Sequence, residues 1–101
     1  MTKTKKKVQL RPWDPAEYIK TEADVVAHLE AAFEDGDPSI IADVLGAIAR
    51  SQGMAKIAKK TGLGRESLYK SLSKSGNPEL TTVLKVLHAL GLKLTITADA
   101  A

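Results

Sequence analysis

Apolar residues recur at helical spacing through most of the chain. Val25, Val26, Leu29, Ala32 and Phe33 repeat every three to four positions and stop at Gly36, which places them along one side of an α-helix. Thr21-Glu22-Ala23-Asp24 precedes them as an N-terminal capping arrangement. Asp37-Pro38 then supplies a capping carboxylate followed by a proline, whose missing N–H costs nothing at the first helical position. A second helix is predicted from there to near Gly53, with Ile41, Val44, Leu45 and Ile48 on one face. Two short helices follow, Met54 to Thr61 and Arg65 to about Ser73, separated by Gly62-Leu63-Gly64. Asn77-Pro78 repeats the signal of cap plus proline. It opens a last helix with the apolar stripe Leu80, Val83, Leu84, Leu87 and Leu90, closed by Gly91.

Beyond Gly91 the period drops to two. Leu92, Leu94 and Ile96 alternate with Lys93, Thr95 and Thr97, which predicts a short C-terminal β-strand. A strand needs a neighbour for its backbone groups. The candidates are Val8-Gln9-Leu10-Arg11, the same strand in a second copy, or an edge strand of another protein. The expected fold class is therefore all-α, five helices with that strand appended. The expected organisation is an N-terminal arm over residues 1–20, a helical domain over 21–91 and a strand and tail over 92–101.

With 101 residues and 44% hydrophobic content, the chain has room for one compact domain. It has no apolar run near the ~20 residues of a membrane span, and its lysine run is not followed by the apolar core of a signal peptide. A cytoplasmic protein is expected. The absence of cysteine excludes disulfides and thiolate zinc sites. His28 and His88 lie in helical segments without partners at ligand spacing, so no metal and no cofactor are expected. With no paired-carboxylate signature and no glycine-rich phosphate loop, an enzyme is not expected either.

The net charge is only +3, but it is unevenly spread. Residues 1–11 carry +5, residues 12–49 carry −8, residues 50–74 carry +6, and the remainder balance. Separated basic and acidic segments suggest two different partner surfaces. The basic segment coincides with the two short helices. There Ala58 is small enough for a close helix crossing, Gly62 can take the positive φ that reverses the chain, and Ile57, Leu63 and Leu68 can fill the angle between the helices. Such a unit fits a helix-turn-helix, whose second helix enters the DNA major groove. Arg65, Glu66, Ser67, Tyr69 and Lys70 are then the candidate base readers. Arg65 suits the paired acceptors of guanine and Glu66 the amino group of cytosine. Gln52, Lys56, Lys59, Lys60 and Lys74 are candidate phosphate contacts, giving affinity and salt dependence more than sequence choice. The same lysines also fit the solvated surface of a plain helix bundle, and Tyr69 fits a cover at the core edge.

From Gly36 to Leu94 the sequence resembles the HigA-like addiction-module antidotes, members of the phage-repressor-type helix-turn-helix group. The residues that carry the resemblance are Gly36-Asp37-Pro38, Leu45-Gly46-Ala47-Ile48-Ala49-Arg50, Gly53-Met54, Ala58, Thr61-Gly62-Leu63, Arg65-Glu66-Ser67-Leu68-Tyr69-Lys70, Leu72-Ser73, Gly76-Asn77-Pro78 and Ala89-Leu90-Gly91-Leu92. What it implies is a homodimeric, phage-repressor-like antitoxin that binds its own operator in double-stranded DNA, represses its operon and neutralises a small basic toxin of the RelE/HigB type. Two positions depart from the wider repressor pattern. Met54 replaces the glutamine that often opens the first helix of the motif, and Gly64 replaces a serine that commonly caps the second.

Trp13 and Tyr18, on a proline-restrained arm, are candidate toxin anchors, and the acidic segment after them suits a basic partner. Both aromatics equally suit folding back over a core short of aromatic residues. The other functional readings are a stand-alone prophage-type repressor without a toxin, and a helical protein-interaction module that no longer binds DNA.

Overall fold

The computed structural model describes residues 19–99. The expected arm, with Val8–Arg11, Trp13 and all but its last two residues, lies outside the described residues, and so does Tyr18. Five helices appear among the described residues: α1 (Glu22–Asp35), α2 (Pro38–Gln52), α3 (Met54–Thr61), α4 (Arg65–Ser71) and α5 (Leu80–Ala89). None is long and apolar enough to cross a membrane.

The caps read from the sequence determine where the first two helices start. At α1 the Thr21 hydroxyl accepts from the Asp24 N–H at 3.1 Å, and the Asp24 carboxylate accepts in return from the N–H groups of Thr21 and Lys20 at 3.0 and 2.9 Å. Those backbone donors, Lys20 first and Thr21 second, hold the Asp24 carboxyl below its ordinary value, helped by the Thr21 hydroxyl and weakly by His28. At α2 the Asp37 carboxylate accepts from the Ser39 N–H at 3.0 Å, with Pro38 in the first turn. The last helix departs from its expected start. Asn77 and Pro78 precede α5 without opening it, and Glu79 is the N-cap residue with no side-chain cap bond. The connector runs on to Leu80 because Gly76 is pinned beneath the end of α4, where an added methyl group would collide with the carbonyls of Lys70 and Ser71.

Helix α2 is the centre of the molecule. Val44, Leu45, Gly46, Ala47, Ile48 and Ala49 are all buried in succession, so it is enclosed on every side over this stretch. Helix α1 packs on it through Val25, Leu29 and Ala32, and α3, α4 and α5 contribute Met54, Ile57, Leu68, Leu72, Val83, Val86 and Leu87 to the same core. The closest approach is at Gly46, where any Cβ would overlap the backbone carbonyl of Leu72. Glycine inside a helix normally costs about 1 kcal/mol relative to alanine. Here it is what lets the end of α4 rest directly on the α2 backbone.

The apolar stripe of α5 is narrower than expected. Val83, Val86 and Leu87 face the core, whereas Leu80 and Leu84 are 67% and 43% exposed. The expected C-terminal strand is also corrected: no strand occurs among the described residues, and residues 92–99 have no regular secondary structure. Only the first of its apolar residues, Leu92, reaches the core; Leu94 and Ile96 are 44% and 95% exposed. No second strand lies within the described part of the chain to supply the ladder of hydrogen bonds that a strand requires.

Gly46→Ala is expected to lower stability despite the better helix propensity of alanine, because overpacking against a backbone carbonyl costs about 1–3 kcal/mol, and Gly46→Val is expected to lower it further. Urea denaturation with an unchanged slope and a lower midpoint is the readout. Acidification offers a second check. A carboxyl held below its ordinary value stabilises the fold in its charged form, fully above about pH 4 and progressively less below it. The thermal midpoint of the wild type is therefore expected to exceed that of Asp24→Asn at pH 7, and the gap to close as the pH falls toward 3.

Candidate nucleic-acid interface

Helices α3 and α4 meet across Gly62-Leu63-Gly64 as a unit with an apolar inside and a polar outside. Met54 and Ile57 bury one side of α3, and Leu68 with the following Leu72 buries one side of α4. Ala58 and Leu63 are partly buried against the same core, as their positions in the sequence suggest. The turn begins at Gly62 with φ +77°, a left-handed conformation that a side chain would strain even though open space surrounds it. Its N–H donates to the Ala58 carbonyl at 2.9 Å. Thr61 ties the turn together. Its hydroxyl donates to the Ile57 carbonyl at 2.8 Å and accepts from the Leu63 N–H at 3.2 Å. At Gly64 the chain enters α4 with no side-chain cap.

The outward faces follow from this inward packing. Arg65, Glu66, Ser67, Tyr69 and Lys70 are all exposed on α4, Tyr69 at 45%. Glu66 and Lys70 sit one turn apart on the side opposite Leu68, while Tyr69 and Ser67 flank them. Tyr69 is thus partly open to solvent, with the rest of its surface covered. Lys56, Lys59 and Lys60 are exposed on α3, and Gln52 and Lys74 are exposed at the end of α2 and after α4. All the base-reading and phosphate candidates fall within residues 52–74 of the sequence, and the fold leaves every one of them exposed. The toxin candidates Trp13 and Tyr18 are outside the described residues.

Other chemistry is sparse. His28 is half-buried, its Nδ1 2.8 Å from the Asp24 carbonyl one turn earlier, and His88 is exposed at the end of α5. Among the described residues no group of three or more His, Cys, Asp or Glu is placed to hold a metal ion. The acids of α1 border a shallow groove on its outer side, floored by Ala23, Val26 and Ala27 and edged by Glu22 and Glu30. Sequence reasoning did not assign Gly46 and Gly76 as the residues that position α4. The only sign of the first is a glycine in an otherwise apolar helical run, Val44-Leu45-Gly46-Ala47-Ile48.

Fold and site together define a small helical protein distinguished by a basic unit of two short helices. Residues 9–98 match the family described as "Probable addiction module antidote protein", and the chain belongs to that family. At the level of class it is an antitoxin, and an antidote implies a toxin as partner in general. A protein of Haemophilus influenzae, described only as an uncharacterized protein, is 39% identical over 88 residues, covering 87% of this chain and 91% of the relative. No solved structure matches the chain.

The uncapped entry to α4 is directly testable. At Gly64 a Cβ meets nothing closer than the Ser67 Oγ at 3.7 Å, and its φ of −71° is open to any residue. Gly64→Ser is expected to add a cap and reduce unfolded-state freedom, raising stability by about 0.5–1 kcal/mol and the thermal midpoint by about 2–6 °C.

Proposed function

We propose that α3 and α4 form a helix-turn-helix, with α4 as the recognition helix, and that this antitoxin binds the operator of its own operon as a homodimer and represses it. The observation that carries the reading is the two-sided construction of the unit. Ile57, Leu63 and Leu68 hold it to the core while Arg65, Glu66, Ser67, Tyr69 and Lys70 face outward, next to exposed Lys56, Lys59 and Lys60. A segment of charge +6 coincides with the element that needs a cationic surface to meet a polyanion. In the major groove Arg65 is matched to guanine, and the α3 lysines, Gln52 and Lys74 to the backbone phosphates. The toxin is proposed to be a small basic ribonuclease of the RelE/HigB type. Support for a basic partner comes from the −8 segment that includes α1, opposite in sign to the DNA-facing unit. No catalytic function is proposed, and the protein is expected to act in the cytoplasm.

The test is binding to the DNA immediately upstream of the gene, against random DNA, across a salt series. The wild type is expected to prefer the upstream DNA. Arg65→Ala should lose about 1–3 kcal/mol of that preference, whereas Lys59→Ala should weaken binding to all sequences and reduce the salt slope by about 1. Equal, weak binding of the wild type to every DNA, with no response to either substitution, would instead identify a protein-interaction module. Repression from the upstream DNA in cells without any toxin gene nearby would identify a stand-alone repressor.

A further inference from the structure

We propose that Glu66 sets the selectivity of α4 by repulsion: its carboxylate opposes binding to DNA in general and is compensated only at the amino group of a cytosine. The operator then carries a C·G pair at that place. The inference deepens the operator binding proposed above and rests on that reading.

Three observations carry it. The first is position. Leu68 is buried against the core, and with 3.6 residues per turn Glu66 projects about 160° away from it, further round than its first-turn neighbours Arg65 and Ser67. A recognition helix meets base edges with the residues at its start, and among these Glu66 points most directly outward. The second is charge. Glu66 is the one acid beside seven bases in residues 50–74. A carboxylate at the front of a surface that meets a polyanion is repelled wherever it lands, by about threefold in binding constant for a phosphate near 6 Å in water. The third is availability. Glu66 precedes Lys70 by four residues, the spacing and order that favour an ion pair on a helix. Yet among the described residues neither side chain is held by an ion pair or a hydrogen bond. The Glu66 carboxylate is exposed and is not neutralised within the helix.

The major groove offers such a group few matches. An ionised carboxylate only accepts hydrogen bonds. Guanine presents two acceptors, and thymine presents an acceptor and a methyl group, so neither can pair with it. Adenine sets its amino donor beside the N7 acceptor, which faces a carboxylate with like partial charge. Cytosine alone presents an amino donor with no acceptor beside it on its own edge. It is therefore the base at which the repulsion and desolvation of Glu66 are offset. A glutamine in the same place follows a different rule, because its amide donates to N7 and accepts from the amino group, and so pairs with adenine.

The experiment is selection from a duplex DNA library with a randomised core, using the wild type, Glu66→Gln and Arg65→Ala, with enriched sites sequenced and their affinities titrated. Circular dichroism checks that each variant is folded, as expected for substitutions at exposed positions. The wild type is expected to enrich a site with one C·G pair that Glu66→Gln exchanges for A·T. Each protein should prefer its own site by at least about tenfold. On random duplex DNA, Glu66→Gln should bind about threefold more tightly than the wild type. A carboxylate that only stabilises the start of α4 would move the thermal midpoint and leave the selected site as it was. That result, or random-DNA affinity unchanged by Glu66→Gln, overturns the inference. A wild-type site that is lost with Arg65→Ala but kept with Glu66→Gln removes this inference and leaves operator binding standing. A wild type that enriches no site overturns both.

Discussion

The position of α4 depends on one contact between backbones, the seat of the Leu72 carbonyl against Gly46 of α2. With no side chain between them, the C-terminal end of α4 lies directly on the central helix, and Leu68 and Leu72 are buried in the core. Gly76 then folds beneath the carbonyls of Lys70 and Ser71, so the connector to α5 is led back from the same spot. A seven-residue helix has little stability of its own. Its orientation is set by this seat, by the Gly62 turn and by the two buried leucines, and the outward direction of Arg65, Glu66, Tyr69 and Lys70 follows from that orientation.

Charge is divided along the same architecture. Helix α1, on one side of α2, belongs to the segment of net −8, and α3 and α4, packed elsewhere on α2, belong to the segment of +6. A member of an antidote family has a toxin to engage. Under the function proposed above, surfaces of opposite sign are best kept apart, because a cationic face steered toward a polyanion would otherwise compete with an anionic face steered toward a basic protein. The enclosed helix α2 joins both segments to one core.

Much of this was legible along the chain. The Thr21–Asp24 capping box, the Asp37-Pro38 start, the stop at Gly36 and the turn at Gly62 involve residues within a few positions of one another, and their geometry is decided by local hydrogen bonds and allowed backbone angles. The number and order of the helices follow from such signals. So does the exposure of the α3 and α4 candidates, since burying Ile57 and Leu68 turns the polar positions outward. The antidote family was legible as well, from short blocks of residues in order.

Tertiary structure alone decided which apolar residues of α5 are used. Leu80 and Leu84 carry the same periodic signal as Val83 and Leu87, but the core accepts only one stripe of the helix, and Val86 lies within it. Likewise Gly46 reads as a weak spot in a helix until Leu72 is brought against it, and Asn77-Pro78 reads as a helix start until Gly76 is pinned under α4. The alternation after Gly91 states a preference for pairing without stating with what. Caps and periods act over a few residues and are written in order along the chain, whereas the choice of buried face, close approach and strand partner is a competition among segments far apart in sequence. That competition is resolved only when the core is assembled.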